Sequence, residues 1–146
     1  MKIELKTALL LAAATFSCAV SWAQDADPAE LVKAARAAIR QIDEGSAGSF
    51  WEGMSSAVKQ RVSRKDFTEA VLRSRQPLGS PGERYWVLIT RQKIEGNAST
   101  PPGLYGSVEF ASTFAGQKTL RELISFRLDE DKVWRTSGYT VRAAAR

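Results

Sequence analysis

Apolar residues in this chain change their period near Gly82, from helical spacing before it to alternation after it. Leu31, Ala35, Ala38, Ile39 and Ile42 recur every three or four residues, which collects them on one face of a helix. Asp27 is placed to cap that helix, Pro28 suits its first turn, and Glu30 stands where a capping acid reaches back. Gly45 ends it, so the first predicted helix covers 28–44, with small alanines on its flanks for close approach to a sheet. Residues 46–62 predict a second helical stretch, clustering Phe50, Trp51 and Met54 but weakened by Gly48 and Gly53. Ser63 with Asp66 opens a third helix over 64–75, with Phe67, Ala70 and Val71 inward and Pro77 and Gly79 as its stop.

After Gly82 the pattern predicts four strands. The first covers 85–94 and is followed by a loop, Gly-Asn-Ala-Ser-Thr-Pro-Pro-Gly, over 96–103. The second, 104–114, sets Leu104, Val108, Phe110 and Phe114 against Tyr105, Ser107, Glu109 and Thr113. The third, 120–128, aligns Leu120, Ile124, Phe126 and Leu128 on one face. Asp129-Glu130-Asp131-Lys132 makes a solvated hairpin turn into a last strand over 133–141. There, Trp134 and Tyr139 are separated by an odd number of residues, so both reach the core only if Ser137-Gly138 forms a bulge. The expectation is an α+β domain: three N-terminal helices packed on a four-stranded antiparallel meander, with a frayed tail at 143–146.

The N-terminal segment adds an address. Lys2 and Lys6 precede an apolar run from Thr7 to Val20, and Ser21-Trp22-Ala23 puts small residues where a signal peptidase reads. Residues 1–23 therefore read as a signal peptide, with cleavage near Ala23/Gln24, a single domain over 24–142, and residence in the periplasm or outside the cell. Acylation of Cys18 as a lipoprotein is the competing reading, but Thr15-Phe16-Ser17 lacks the leucine usual three positions before such a cysteine. No other segment is apolar enough to span a membrane, and cleavage at Ala23 removes the only cysteine.

Composition narrows the chemistry further. Apolar content of 44% and charged content of 25% are those of an ordinary globular protein. The leader's two lysines and one glutamate account for one of the five net positive charges, leaving +4 on the remainder. A modest basic cluster (Arg61, Arg64, Lys65, Arg73, Arg75) lacks the stripe and stacking aromatics of a nucleic-acid binder. The chain has no histidine, which removes His-based triads and imidazole zinc sites, and no cofactor or metal is expected.

Several positions resemble a known family of exported bacterial proteins, the domain of unknown function 4019. They are Ser49 and Trp51, Val62-Ser63 before Phe67, Arg75, Pro77-Leu78-Gly79 and Arg84, then Pro102-Gly103-Leu104-Tyr105, Phe110, Phe114, Glu122, Asp131, Trp134 and Gly138-Tyr139. The resemblance covers about Ala35 to Arg142 and departs at the polar loop 96–100 and at Gly82-Glu83. It implies a curved sheet wrapped by helices, nuclear transport factor 2-like or cystatin-like, and implies no activity.

Glu122 is the sharpest candidate, an acid on the apolar face of its strand. A buried carboxylate tends toward a raised pKa, which a general acid or base exploits, and Tyr139 would be its hydroxyl partner. The plainer reading pairs Glu122 with Arg84 or Arg75. Trp51, Arg84, Tyr105, Glu122, Trp134 and Tyr139 are the candidate ligand-lining set. Three functions follow: a non-enzymatic envelope protein that binds a small ligand or another protein, a small isomerase- or hydrolase-like enzyme using Glu122 and Tyr139, or a homodimeric interaction protein.

Overall fold

The change of period near Gly82 is the boundary between a helical half and a sheet. The computed structural model describes residues 27–115 and 118–143; the expected signal peptide, Cys18 and most of the expected tail lie outside them. Helix α1 (Pro28–Asp43) is capped as its sequence implies, with Asp27 Oδ1 accepting from the Ala29 N–H at 2.9 Å. It buries Leu31, Ala35, Ala38, Ile39 and Ile42, the face expected from their spacing. Gly45, at φ +73°, turns the chain in a left-handed conformation that costs a glycine little.

The second stretch is two short helices, α2 (Ala47–Glu52) and α3 (Ser56–Lys59), so the domain has four helices rather than three. The break has a physical cause. Gly53 caps α2, and the chain then leaves the helical path so that Met54 can bridge to Thr136, with the Ser55 N–H donating to the Thr136 carbonyl at 2.8 Å. Helix α4 (Arg64–Arg75) begins on the Ser63 cap, whose hydroxyl accepts from the Asp66 N–H and donates to the Asp66 carboxylate. It ends in a 3-10 turn at Gln76–Leu78.

Strands β1 (Pro81–Ile94), β2 (Gly103–Phe114), β3 (Lys118–Leu128) and β4 (Trp134–Ala143) form one open antiparallel sheet in chain order. β1 begins at Pro81 rather than Tyr85 and carries register shifts between Pro81 and Arg84 and between Trp86 and Leu88. The expected bulge in β4 is present: Ser125 faces Gly138 and Phe126 faces Thr136, leaving Ser137 unpaired. Trp134 thereby sits opposite Leu128 and Tyr139 opposite Ile124, on the same face. Ala143, assigned to the tail by sequence, still pairs with Leu120.

The helices cover the sheet face that carries Val108, Phe110, Glu122, Ile124 and Phe126, all buried. Gly106 lies on that face too, and a Cβ there would stand 3.3 Å from the Trp134 ring and 3.4 Å from Leu31. Its missing side chain is what lets α1 and Trp134 close over the sheet. Tyr105 was assigned to the solvent side by alternation, yet it is buried. The β1–β2 loop folds back, and the Tyr105 hydroxyl donates to the Pro101 carbonyl at 2.7 Å.

Candidate functional site

Five side chains from five elements meet beneath the start of β1. α1 supplies Asp43, α4 Arg75, β1 Arg84, β3 Glu122 and β4 Tyr139. Arg84 donates to Asp43 at 2.6 and 2.9 Å and to Glu122 from Nε at 2.5 Å. Arg75 bridges the same two acids, at 2.6 Å to Asp43 and 3.0 Å to Glu122, with its guanidinium 4.6 Å from the centre of the Phe114 ring. The Tyr139 hydroxyl donates to Glu122 Oε1 at 2.7 Å. Ser112 is fully buried beside that carboxylate and makes no well-formed hydrogen bond of its own. Two acids face two guanidinium groups, so the cluster is neutral as a whole.

The electrostatics of Glu122 run against general acid–base work. Burial alone pushes its carboxyl up from the ordinary 4.5, but the hydrogen bonds from Arg84 and Tyr139 and the Arg84 charge outweigh it, and the pKa falls. Burial opposes charge on Arg84 as well, and its hydrogen bonds to Asp43 and Glu122 more than reverse that. Tyr139 is pushed well up, first by burial and then by the neighbouring Glu122 charge. Glu122 is 0% exposed, with both oxygens committed to donors. An acid held ionised, buried and hydrogen-bonded on both oxygens has the surroundings of a bracing ion pair rather than those that raise a carboxyl toward general acid work.

Of the six candidate ligand-lining residues, Arg84, Glu122 and Tyr139 come together and the other three do not. Trp51 packs at the edge of the core, donating from its ring nitrogen to the Val62 carbonyl at 3.1 Å beneath the Lys59 ammonium. Trp134 is half-buried over Gly106. Tyr105 lines a separate hollow of about 240 Å³ on the sheet face away from the helices. Asp43 was missed by sequence, although it continues the stripe of Ala35 and Ile39 one turn further on.

A second charged cluster closes the opposite end of the sheet and corrects the solvated-turn expectation. Asp129 is buried and accepts from Ser55 Oγ at 2.5 Å, Arg127 at 2.7 Å and Arg135 at 3.1 Å. Arg127, also buried, donates to the Pro102 carbonyl and to Glu130. Only Glu130 and Asp131 of the three turn acids are exposed. Among the described residues, no group of three His, Cys, Asp or Glu side chains is arranged to hold a metal, and no helix is long and apolar enough to cross a membrane.

The fold and its clusters define a class: an α+β domain of four helices and an antiparallel sheet, in which buried ion pairs tie α1 and α4 to the strands. The chain belongs to the family described as "Protein of unknown function (DUF4019)", whose match covers residues 34–139. That span holds all five members of the Asp43–Glu122 cluster and ends on Tyr139. No curated protein matches the chain.

Proposed function

We infer that this protein is a non-enzymatic binding module of the cell envelope, and that it binds through the free edge of the sheet at β1. One observation carries the reading. Tyr85, Trp86, Val87 and Leu88 are four consecutive large apolar residues, and they are 61%, 53%, 42% and 51% exposed. Tyr85 and Leu88 pair with Ala111 and Glu109 on the outer face and Trp86 with Phe110 on the helix-covered face, so the run exposes apolar groups on both sides of the edge strand, which favours an interaction along that edge. Covering what remains open would contribute about 1 kcal/mol per residue at the usual area coefficient, enough to drive association once a few polar contacts are added. The buried Arg84 cluster fits this role, since it anchors the start of β1 to α1 and α4 and holds the exposed stretch in place.

The enzyme reading requires Glu122 to reach a substrate, and its burial and three donors oppose that. The homodimer reading through the outer sheet face is opposed by its polar surface, where Thr113, Thr140, Arg142 and the Glu109–Arg121 pair stand. A curved, helix-wrapped sheet of the nuclear transport factor 2-like or cystatin-like kind would suit a binding module, and the signal-like leader would deliver it to the periplasm. A photo-crosslinking amino acid at position 88, with position 140 as control, tests the reading in cells exporting the protein. Discrete adducts at 88 and none at 140 are expected. Equal labelling at both, or none at either, removes β1 as the binding surface.

A further inference from the structure

We propose that the face shared by α1 and β1 docks the protein on an anionic phospholipid surface, with lipid phosphates seated by Arg36 and Arg40 and Trp86 lying at the interface. The proposal rests on the reading of β1 as the binding edge and names its partner. Arg36 and Arg40 stand one turn apart on α1, and with Ile39, Gly82 and Arg84 they line an open hollow of about 220 Å³ that has no acidic side chain in its walls. Arg84 is neutralised there by Asp43 and Glu122. Arg36 and Arg40 are not: both are exposed, and neither makes an ion pair with a described residue. Arg36 rests 5.4 Å from the centre of the Phe110 ring.

Phe110 ties this basic hollow to the apolar stretch. Its cross-strand partner in β1 is Trp86, so Trp86 stands on the sheet face over which Arg36 packs. Two exposed guanidinium groups with no ion pair among the described residues, and a half-exposed tryptophan on the same face, match the composition of a membrane interface, where phosphates meet the acyl boundary and indole rings settle between them. Glu83, the acid nearest Trp86 in sequence, accepts from the Tyr85 hydroxyl at 2.8 Å. An added β-strand from another chain fits less well. The register shift between Trp86 and Leu88 kinks the edge at the apolar stretch, which is how sheets discourage edge pairing.

The test is co-sedimentation of the purified protein with vesicles of phosphatidylcholine alone and of phosphatidylcholine mixed equally with phosphatidylglycerol. Binding to the anionic vesicles only, weakening as salt screens it, is expected. Tryptophan emission should shift to the blue on binding, and the shift should vanish in Trp86→Ser. Arg36→Gln with Arg40→Gln should weaken binding about thirtyfold, from the contribution of two cations at an anionic surface. Circular dichroism confirms that each variant is folded. Equal binding to both vesicle types, no binding, or binding unchanged by all variants overturns the proposal. So does a concentration-dependent dimer abolished by Trp86→Ser, which would make this face the seat of a second copy. Crosslinks from position 88 to a protein without vesicle binding overturn the lipid partner and leave the β1 reading standing; loss of both signals overturns both.

Discussion

Replacing Glu122 by glutamine is the most informative perturbation of the buried cluster, because it removes a charge while keeping the shape. In the native protein Oε1 accepts from Arg75 and Tyr139 and Oε2 from Arg84 Nε. A glutamine can present its carbonyl to Arg75 and Tyr139, but its amide then points an N–H at the Arg84 Nε–H. Arg75 and Arg84 are left sharing Asp43, and the buried cluster moves from neutral to a net positive charge. Breaking a buried ion pair from one side costs about 3–5 kcal/mol, and the two conserved hydrogen bonds place this substitution near the low end, about 3 kcal/mol.

Urea denaturation followed by circular dichroism measures it. With a slope of about 1.5 kcal/mol per molar for a domain of this size, the midpoint should fall by about 2 M. The pH dependence adds a check of sign. Glu122 has a folded pKa below its unfolded one, so its contribution is complete above the ordinary carboxyl range and is lost as pH falls through the folded value. The difference between native and variant should therefore narrow on acidification. Combining Glu122→Gln with Arg84→Gln should cost less than the sum of the two by about 1–3 kcal/mol. Exchanging the two charges would be a poor test, since a glutamate at position 84 would face Asp43. An unchanged midpoint, or strict additivity of the pair, refutes the bracing role and returns Glu122 to the candidate catalytic residues.

Asp129→Ala should cost about 3 kcal/mol in the same assay, because it takes the buried carboxylate from Arg127 and the acceptor from buried Ser55; a change under about 0.5 kcal/mol would show that this end of the sheet is open to water. Trp134→Ala should cost about 2–3 kcal/mol, less than a fully buried tryptophan, since the ring is half-exposed; thermal and urea midpoints read this. Gly106→Ala should destabilise by about 1 kcal/mol by pushing Trp134 and Leu31 apart, and a stabilised variant would mean that the helices do not press on this strand. The exposed Asp131 carboxyl, held down to about 2 chiefly by its hydrogen bond from Arg135, should titrate well below a free aspartate by carbon-detected NMR, and return to the ordinary range in Arg135→Gln.

The elements whose evidence is local were readable from sequence. The face of α1, the Ser63 cap of α4 and the β4 bulge each follow from spacing within about a dozen residues, where helix and strand periods constrain side chains directly. The split of the second helix was not readable, because its cause is Thr136, far along the chain, which draws Met54 and Ser55 into a strand-like bridge. One member of the buried cluster, Asp43, stayed hidden as well. Glu122 was conspicuous as an acid on an apolar strand face, and Arg84 and Arg75 were its natural partners. Asp43 was not conspicuous, because an acid at the last turn of a helix has an ordinary solvated explanation.

Asp43 is nevertheless what decides how the cluster is read. Glu122 beside two guanidinium groups, without Asp43, would leave an excess positive charge under β1, which suits an anion-binding or catalytic pocket. With Asp43 present the charges balance, each acid is bridged by both arginines, and the cluster has no unsatisfied charge to offer a ligand. Arg36 and Arg40, on the outside of α1, make no ion pair with a described residue, and the hollow they line reaches Arg84, next to the only consecutive run of large apolar residues among the exposed ones described. On the reading proposed above, a domain that neutralises its interior charges and leaves basic and apolar groups along one edge acts at that edge. The crosslinking and vesicle experiments at β1, set against Glu122→Gln, decide between the edge and the buried carboxylate.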